Sequence, residues 1–163
     1  MRPLRIAGVA SESIVDGPGL RYVVFVQGCP LQCKGCHNPQ THDPEGGAVA
    51  DIAQILAEID ANPLLSGVTF SGGEPFDQAE QLWELAEQVK ARGLHLLIYS
   101  GYTFERLRDM ARRDAAVLHL LTVADVLIDG PYMEDQRDLT LQFRGSRNQR
   151  IIDMSVARDI IYV

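Results

Sequence analysis

Apolar residues along this chain fall into two alternating rhythms. Short unbroken runs rich in β-branched residues at 4–9 and 22–26 predict buried strands, and the Val15-Asp16-Gly17-Pro18-Gly19 cluster between them predicts a turn. Ile52, Ile55, Leu56 and Ile59 then recur at the spacing of one helical face, predicting a helix over 51–60. A strand is expected at 67–71. Residues 77–92 carry the clearest helical pattern, with Asp77 as a candidate N-cap and Gly93 just past the end. Another strand follows at 94–99, and Thr103 opens a helix containing Phe104, Leu107 and Met110. A short strand at 125–128 ends on Asp129-Gly130, and residues 139–163 read as short strands and turns.

Strands alternating with helices predict parallel βαβ units, hence an α/β fold. In such folds ligands sit at the carboxyl ends of the strands. The segments 27–38, 71–76, 100–102 and 129–132 each follow a predicted strand, so the pattern alone gathers them at one edge.

Composition narrows the possible partners. Lys and Arg number 15 against 22 Asp and Glu, a net charge of −7, which argues against nonspecific nucleic-acid binding. Arg144, Arg147 and Arg150 remain a candidate local basic pocket. No run reaches the ~18 apolar residues a membrane span needs, and residues 1–10 lack a signal-peptide pattern. At 163 residues the chain is expected to form a single domain over 1–163. Its three cysteines lie within eight positions, which suits metal ligands in a reducing cytoplasm and not a disulfide framework.

Those cysteines, Cys29, Cys33 and Cys36, form a C-x3-C-x2-C loop. Thiolates suit soft metals, and three of them leave one iron of a four-iron, four-sulfur cluster open. Spacing alone also permits a structural zinc with His37 or His42 as fourth ligand, or three unrelated thiols. A pure electron-transfer cluster would want a fourth Cys, and the chain has none. Farther on, Gly72-Gly73-Glu74-Pro75 closes the strand at 67–71; by itself it is a tight turn whose carbonyls and carboxylate suit an ammonium group. Ser100 and Asp129, at the next two strand ends, are candidates for ribose hydroxyls and equally well ordinary turn residues. His95 and His119 show no partner pattern.

Together the cysteine loop and the Gly-Gly-Glu-Pro turn resemble the signatures of the radical S-adenosylmethionine superfamily. The resemblance implies a partial, incomplete TIM-like barrel of parallel βα units. It implies a 4Fe-4S cluster on Cys29, Cys33 and Cys36, with S-adenosyl-L-methionine chelated at the open iron. It also implies cofactor contacts from Gly35, Cys36, His37, Gly72, Gly73, Glu74 and Pro75, with Ser100 and Asp129 as further candidates. The activity the resemblance implies is reductive cleavage of the cofactor to a 5′-deoxyadenosyl radical.

Residues 14–21, 25–29, 36–39, 99–102 and 125–131 are most similar to the activases of glycyl-radical enzymes. Within that group the likeness is to those serving anaerobic ribonucleoside-triphosphate reductases. The implied partners are the reductase large subunit, as the source of the glycine, and a flavodoxin or ferredoxin as electron donor. Asp16 and Arg21 are candidates for touching the partner or the cofactor, or for loop and strand packing. Pro131 stands where larger activases often carry a lysine, so the cofactor carboxylate needs another donor. Gly35 replaces an aromatic residue common before the third cysteine. A radical enzyme contracting a pterin ring to a deazaguanine, and a noncatalytic metal module, are the alternatives.

Overall fold

The computed structural model describes residues 2–31, 33–36 and 38–157. Seven strands form one sheet in the order β3-β1-β2-β4-β5-β6-β7. They are β1 (Arg5–Ser13), β2 (Arg21–Val26), β3 (Ala48–Val49), β4 (Gly67–Gly72), β5 (His95–Tyr99), β6 (Val126–Asp129) and β7 (Arg150–Asp153). The central run β2-β4-β5-β6 is parallel. Antiparallel strands flank it, β1 and β3 on one side and β7 on the other. The α/β expectation thus holds as a mixed, mostly parallel sheet.

Side-chain alternation gives the sheet two unlike faces. Tyr22, Val24, Val26, Val68, Phe70, Leu96, Ile98 and Leu127 point to one face and join a single apolar core. Helices α1 (Ile52–Asp60), α2 (Ala79–Ala91), α3 (Phe104–Ala111), α4 (Ala115–Val123) and α5 (Met154–Ala157) all bury their apolar positions in that core. Each fully buried Leu or Ile there contributes roughly 1.5–3 kcal/mol relative to exposure. Val23, Thr69, Leu97 and Ile128 alternate to the opposite face and are equally buried. Among the described residues, no helix covers them. The turn before β2 does so, its Asp16 carbonyl accepting the Thr69 hydroxyl, and so does the segment before β7, whose Phe143 carbonyl accepts the Tyr99 hydroxyl.

Several sequence expectations shift by small amounts for identifiable reasons. The helix expected over 77–92 begins at Ala79, because Pro75–Gln78 forms a 3-10 turn first. Glu74, rather than Asp77, supplies the cap there, accepting the Phe76 N–H at 3.1 Å. Asp51 and Thr103 cap α1 and α3 through their side chains. Helix α4 was not legible in the periodicity. Its sequence AAVLHLLTV is apolar on nearly every side, and Asp114 caps it. Among the described residues, no helix is long and apolar enough to cross a membrane.

Arg21 has a packing role. It lies wholly buried at the start of β2, donating to the Thr69 hydroxyl, the Pro18 carbonyl and the Val68 carbonyl at 2.7–2.9 Å. Burial pushes its guanidinium down to about 10, and the same burial, followed by Arg21's own charge, lowers His95. This network closes the amino-terminal end of the inner sheet face and leaves the carboxyl-terminal end for chemistry.

Candidate functional site

Because β2, β4, β5 and β6 run parallel, their carboxyl ends meet at one edge, and a cavity of about 370 Å³ opens there. Its wall includes Cys29, Cys33 and Cys36 after β2, Ser71 to Gly73 at the end of β4, Ser100 and Gly101 after β5, and Gly130 and Tyr132 after β6. Four segments that the sequence separates by a hundred residues therefore share one wall.

The cysteine loop leaves β2 through a braced root. Gly28 donates to the Thr41 carbonyl at 2.6 Å and Cys29 to the His42 carbonyl at 3.1 Å, so the loop returns to its starting point. Cys36 N–H donates to the Cys33 carbonyl, and Asn38 N–H donates to the Cys36 sulfur at 3.4 Å. An N–H aimed at a sulfur stabilises thiolate character and tunes a bound iron. All three cysteines are part-buried and free of disulfides. Three thiols on one cavity wall, with no fourth cysteine in the chain, fit a cluster that keeps one iron open.

The glycine turn is joined to that root. Gly72 has φ +93°, and a Cβ on it would meet the Val26 backbone N at 2.6 Å. A Cβ on Gly73 would meet the Gly28 carbonyl. Only glycine lets the two backbones approach so closely, and the approach is used. Gly73 N–H donates to Val26 and Glu74 N–H to Gly28, both at 2.8 Å.

Glu74 is fully buried behind the wall. One carboxylate oxygen accepts the Gly101 N–H at 2.7 Å; the other accepts the Ser100 hydroxyl at 2.9 Å and the Phe76 N–H at 3.1 Å. Burial pushes its carboxyl up to about 7 despite these donors. Glu74 thus ties the end of β4 to the end of β5.

The candidate residues separate by position. Cys29, Cys33, Cys36, Gly72, Gly73 and Ser100 line the cavity. Glu74 and Pro75 lie buried behind it, and Gly35 is exposed on the loop, facing Glu134. His37 lies outside the described residues. Asp129 follows Leu127 onto the helix face, where its carboxylate accepts the Phe104 N–H at 2.7 Å and the Arg150 guanidinium at 2.5 and 3.0 Å. Gly130 and Tyr132 line the cavity in its place.

Asp16 borders the cavity too, its carboxylate accepting the Ser13 hydroxyl. The segment before β7, legible in sequence as strands, turns and an arginine cluster, completes the wall with Leu141, Phe143, Arg144 and Gln149.

Residues 15–152 match the family described as a 4Fe-4S single cluster domain. The chain is 34% identical over 148 residues to the anaerobic ribonucleoside-triphosphate reductase-activating protein of Vibrio cholerae, a match spanning 85% of this chain and 90% of that one. The protein of that name from Enterobacteria phage T4 is 34% identical over 143 residues, 84% of this chain and 86% of its own length. The pyruvate formate-lyase-activating enzyme of Clostridium pasteurianum is 38% identical over 120 residues, 70% of this chain but half of that longer one. Among solved structures, QueE from Escherichia coli matches with a TM-score of 0.47 and 20% identity, over 61% of this chain and 53% of that one.

Proposed function

The chain belongs to the 4Fe-4S single-cluster family that includes the reductase-activating proteins, and from that premise we propose that it activates an anaerobic ribonucleoside-triphosphate reductase by placing a radical on a glycine of that enzyme. One observation carries the reading: the three-cysteine loop and the Gly72–Gly73 turn line a single cavity at the carboxyl edge of four parallel strands.

Cys29, Cys33 and Cys36 would hold the cluster, and the carbonyls of the Gly72–Gly73 turn would receive the ammonium of S-adenosyl-L-methionine. Ser100 and Gly101 face the same space, where ribose hydroxyls can bond. Glu74 and Asp129 act from behind, Glu74 by fixing the turn against Ser100 and Gly101, and Asp129 by holding α3 and Arg150. Pro75 starts the 3-10 turn that directs the chain away from the wall. Gly35, Cys36 and His37 would border the adenine. A reduced cluster bound there would supply the one-electron chemistry that cleaves a sulfonium cofactor and removes a hydrogen from a glycine Cα.

What the chain itself contributes is placement. Its four strand ends fix the wall, Val15 and Leu141 add apolar residues to it, and the segment before β7 completes it. Among the described residues, one helix layer outside the parallel strands and loops over the inner face support a partial barrel and one domain. An inner side closed by loops suits a protein loop as substrate. A flavodoxin or ferredoxin in the cytoplasm would supply the electron.

Anaerobic reconstitution with iron and sulfide, followed by reduction with S-adenosyl-L-methionine present, tests the chemistry. The expected products are methionine and 5′-deoxyadenosine, and Cys29→Ala, Cys33→Ala and Cys36→Ala should each abolish them. A reconstituted chain that forms no 5′-deoxyadenosine would overturn the reading.

A further inference from the structure

The charged groups around the cavity are unevenly distributed. Three cysteine thiols and the Asp16 carboxylate border it, and among the described residues of its wall Arg144 is the single Lys or Arg. Arg144 donates one terminal N–H to the Gln149 carbonyl at 3.2 Å. Its Nε is buried and has no hydrogen-bond partner. A buried guanidinium N–H without an acceptor is unfavourable and marks a place where an acceptor is missing.

The backbone that presents Arg144 is itself unusual. Phe143, just before it, has φ 62°, the one non-glycine residue with positive φ among the described residues. Such conformations persist where the surroundings over-determine them, and they concentrate at ligand sites. Here the bracing is visible. Tyr99 donates its hydroxyl to the Phe143 carbonyl at 2.7 Å. Gln149 accepts the Gly145 N–H at 2.9 Å and the Ser146 N–H at 3.2 Å, while its own amide donates to the Gly130 carbonyl at 3.1 Å. Strand ends β5 and β6 thus both hold the turn that carries the guanidinium. Asp138 feels the charge of Arg147 and Arg144 from outside the cavity, after the stronger hydrogen bonds it receives from Thr140.

We infer that Arg144 is the carboxylate-binding residue of this cavity. Resting on the cofactor reading above, the carboxylate is that of the methionyl end of S-adenosyl-L-methionine. A guanidinium offers a planar pair of donors that matches a carboxylate, and the partnerless Nε supplies one of them. The Gly72–Gly73 carbonyls are suited to the ammonium of the same amino-acid group, so the wall presents complementary partners to a zwitterion. Arg144 acts here as a positioning residue for the cofactor.

Equilibrium dialysis on the anaerobically reconstituted chain tests this with three ligands: S-adenosyl-L-methionine, its decarboxylated analogue and 5′-deoxyadenosine. For Arg144→Ala, affinity for S-adenosyl-L-methionine should fall roughly 10- to 100-fold, the range for a hydrogen bond between charged groups. Affinity for the other two should stay at the wild-type level, and Arg144→Lys should fall between. The inference is overturned if Arg144→Ala binds S-adenosyl-L-methionine as the wild type does. Equal loss of all three ligands also overturns it, since that outcome means the turn has only a structural role. In both cases wild-type binding leaves the cofactor reading standing. Failure of the wild type to bind S-adenosyl-L-methionine at all removes the cofactor reading itself, and this inference with it.

Discussion

The Ser100 hydroxyl donates to the Glu74 carboxylate at 2.9 Å, joining the ends of two parallel strands behind the cavity wall. The same hydroxyl oxygen accepts the Tyr102 N–H at 3.0 Å. Ser100→Ala removes both bonds and leaves Glu74 buried with one donor fewer. Stability should fall by about 1–3 kcal/mol, the usual consequence of unpairing a buried polar group. Urea denaturation of the two proteins measures it, and an unchanged midpoint would contradict the bracing role.

Glu74 also sets a pH dependence. Burial raises its carboxyl from 4.5 to about 7, so between those values the folded chain holds a proton that the unfolded chain has released. The native state then binds more protons, and stability falls as pH rises through this window, levelling above it. Glu74→Gln cannot titrate. Measured by thermal unfolding, the wild type should lose stability relative to Glu74→Gln between pH 5 and about 7.5. A difference that stays flat across that range would show that Glu74 is ionised throughout.

Gly72 is a position where a single methyl should do damage. Its φ of +93° and the Val26 backbone at 2.6 Å leave no place for a Cβ. Gly72→Ala should separate the glycine turn from the root of the cysteine loop, with a cost of about 1–2 kcal/mol from the left-handed backbone alone. Iron bound per chain after anaerobic reconstitution should drop together with the melting temperature. Full iron loading would show that the loop keeps its shape without the turn.

How much of this was legible in sequence depended on whether the signal was local. The three cysteines and the Gly72–Pro75 turn stand at strand ends that short apolar runs announce, and parallel topology does the rest. Asp129 shows the limit. Its place after a strand was clear, but which face it takes depends on register, and following Leu127 it turns to the helices. Helix α4 escaped because it is apolar nearly all round and so has no stripe. Arg144 was legible only as one of three arginines in a candidate basic pocket. Its approach to the cavity depends on a left-handed Phe143 and on long-range bonds from Tyr99 and Gln149, and no pattern of residue types encodes these.

Arg150 provides a test of the helix-face role of Asp129. Its guanidinium bridges the buried Asp129 carboxylate and the exposed Glu105. Arg150→Ala leaves Asp129 buried with only backbone donors nearby. Because Arg150 is itself half exposed, the loss should be moderate, about 1–3 kcal/mol rather than the larger cost of breaking a fully buried pair. Asp129→Asn should recover part of that loss in the Arg150→Ala background, by removing the uncompensated charge. Denaturant midpoints of the single and double variants decide it, and a double variant no more stable than Arg150→Ala would contradict the account.

The proposed activity places a radical on a glycine of an anaerobic ribonucleoside-triphosphate reductase. Electron paramagnetic resonance tests it most directly, with the reduced, iron-loaded chain, S-adenosyl-L-methionine and the reductase mixed under anaerobic conditions. A doublet from a glycyl radical on the reductase is predicted, absent when Cys29→Ala, Cys33→Ala or Cys36→Ala replaces the wild type. Formation of 5′-deoxyadenosine with no such doublet would contradict it and direct the radical to another substrate.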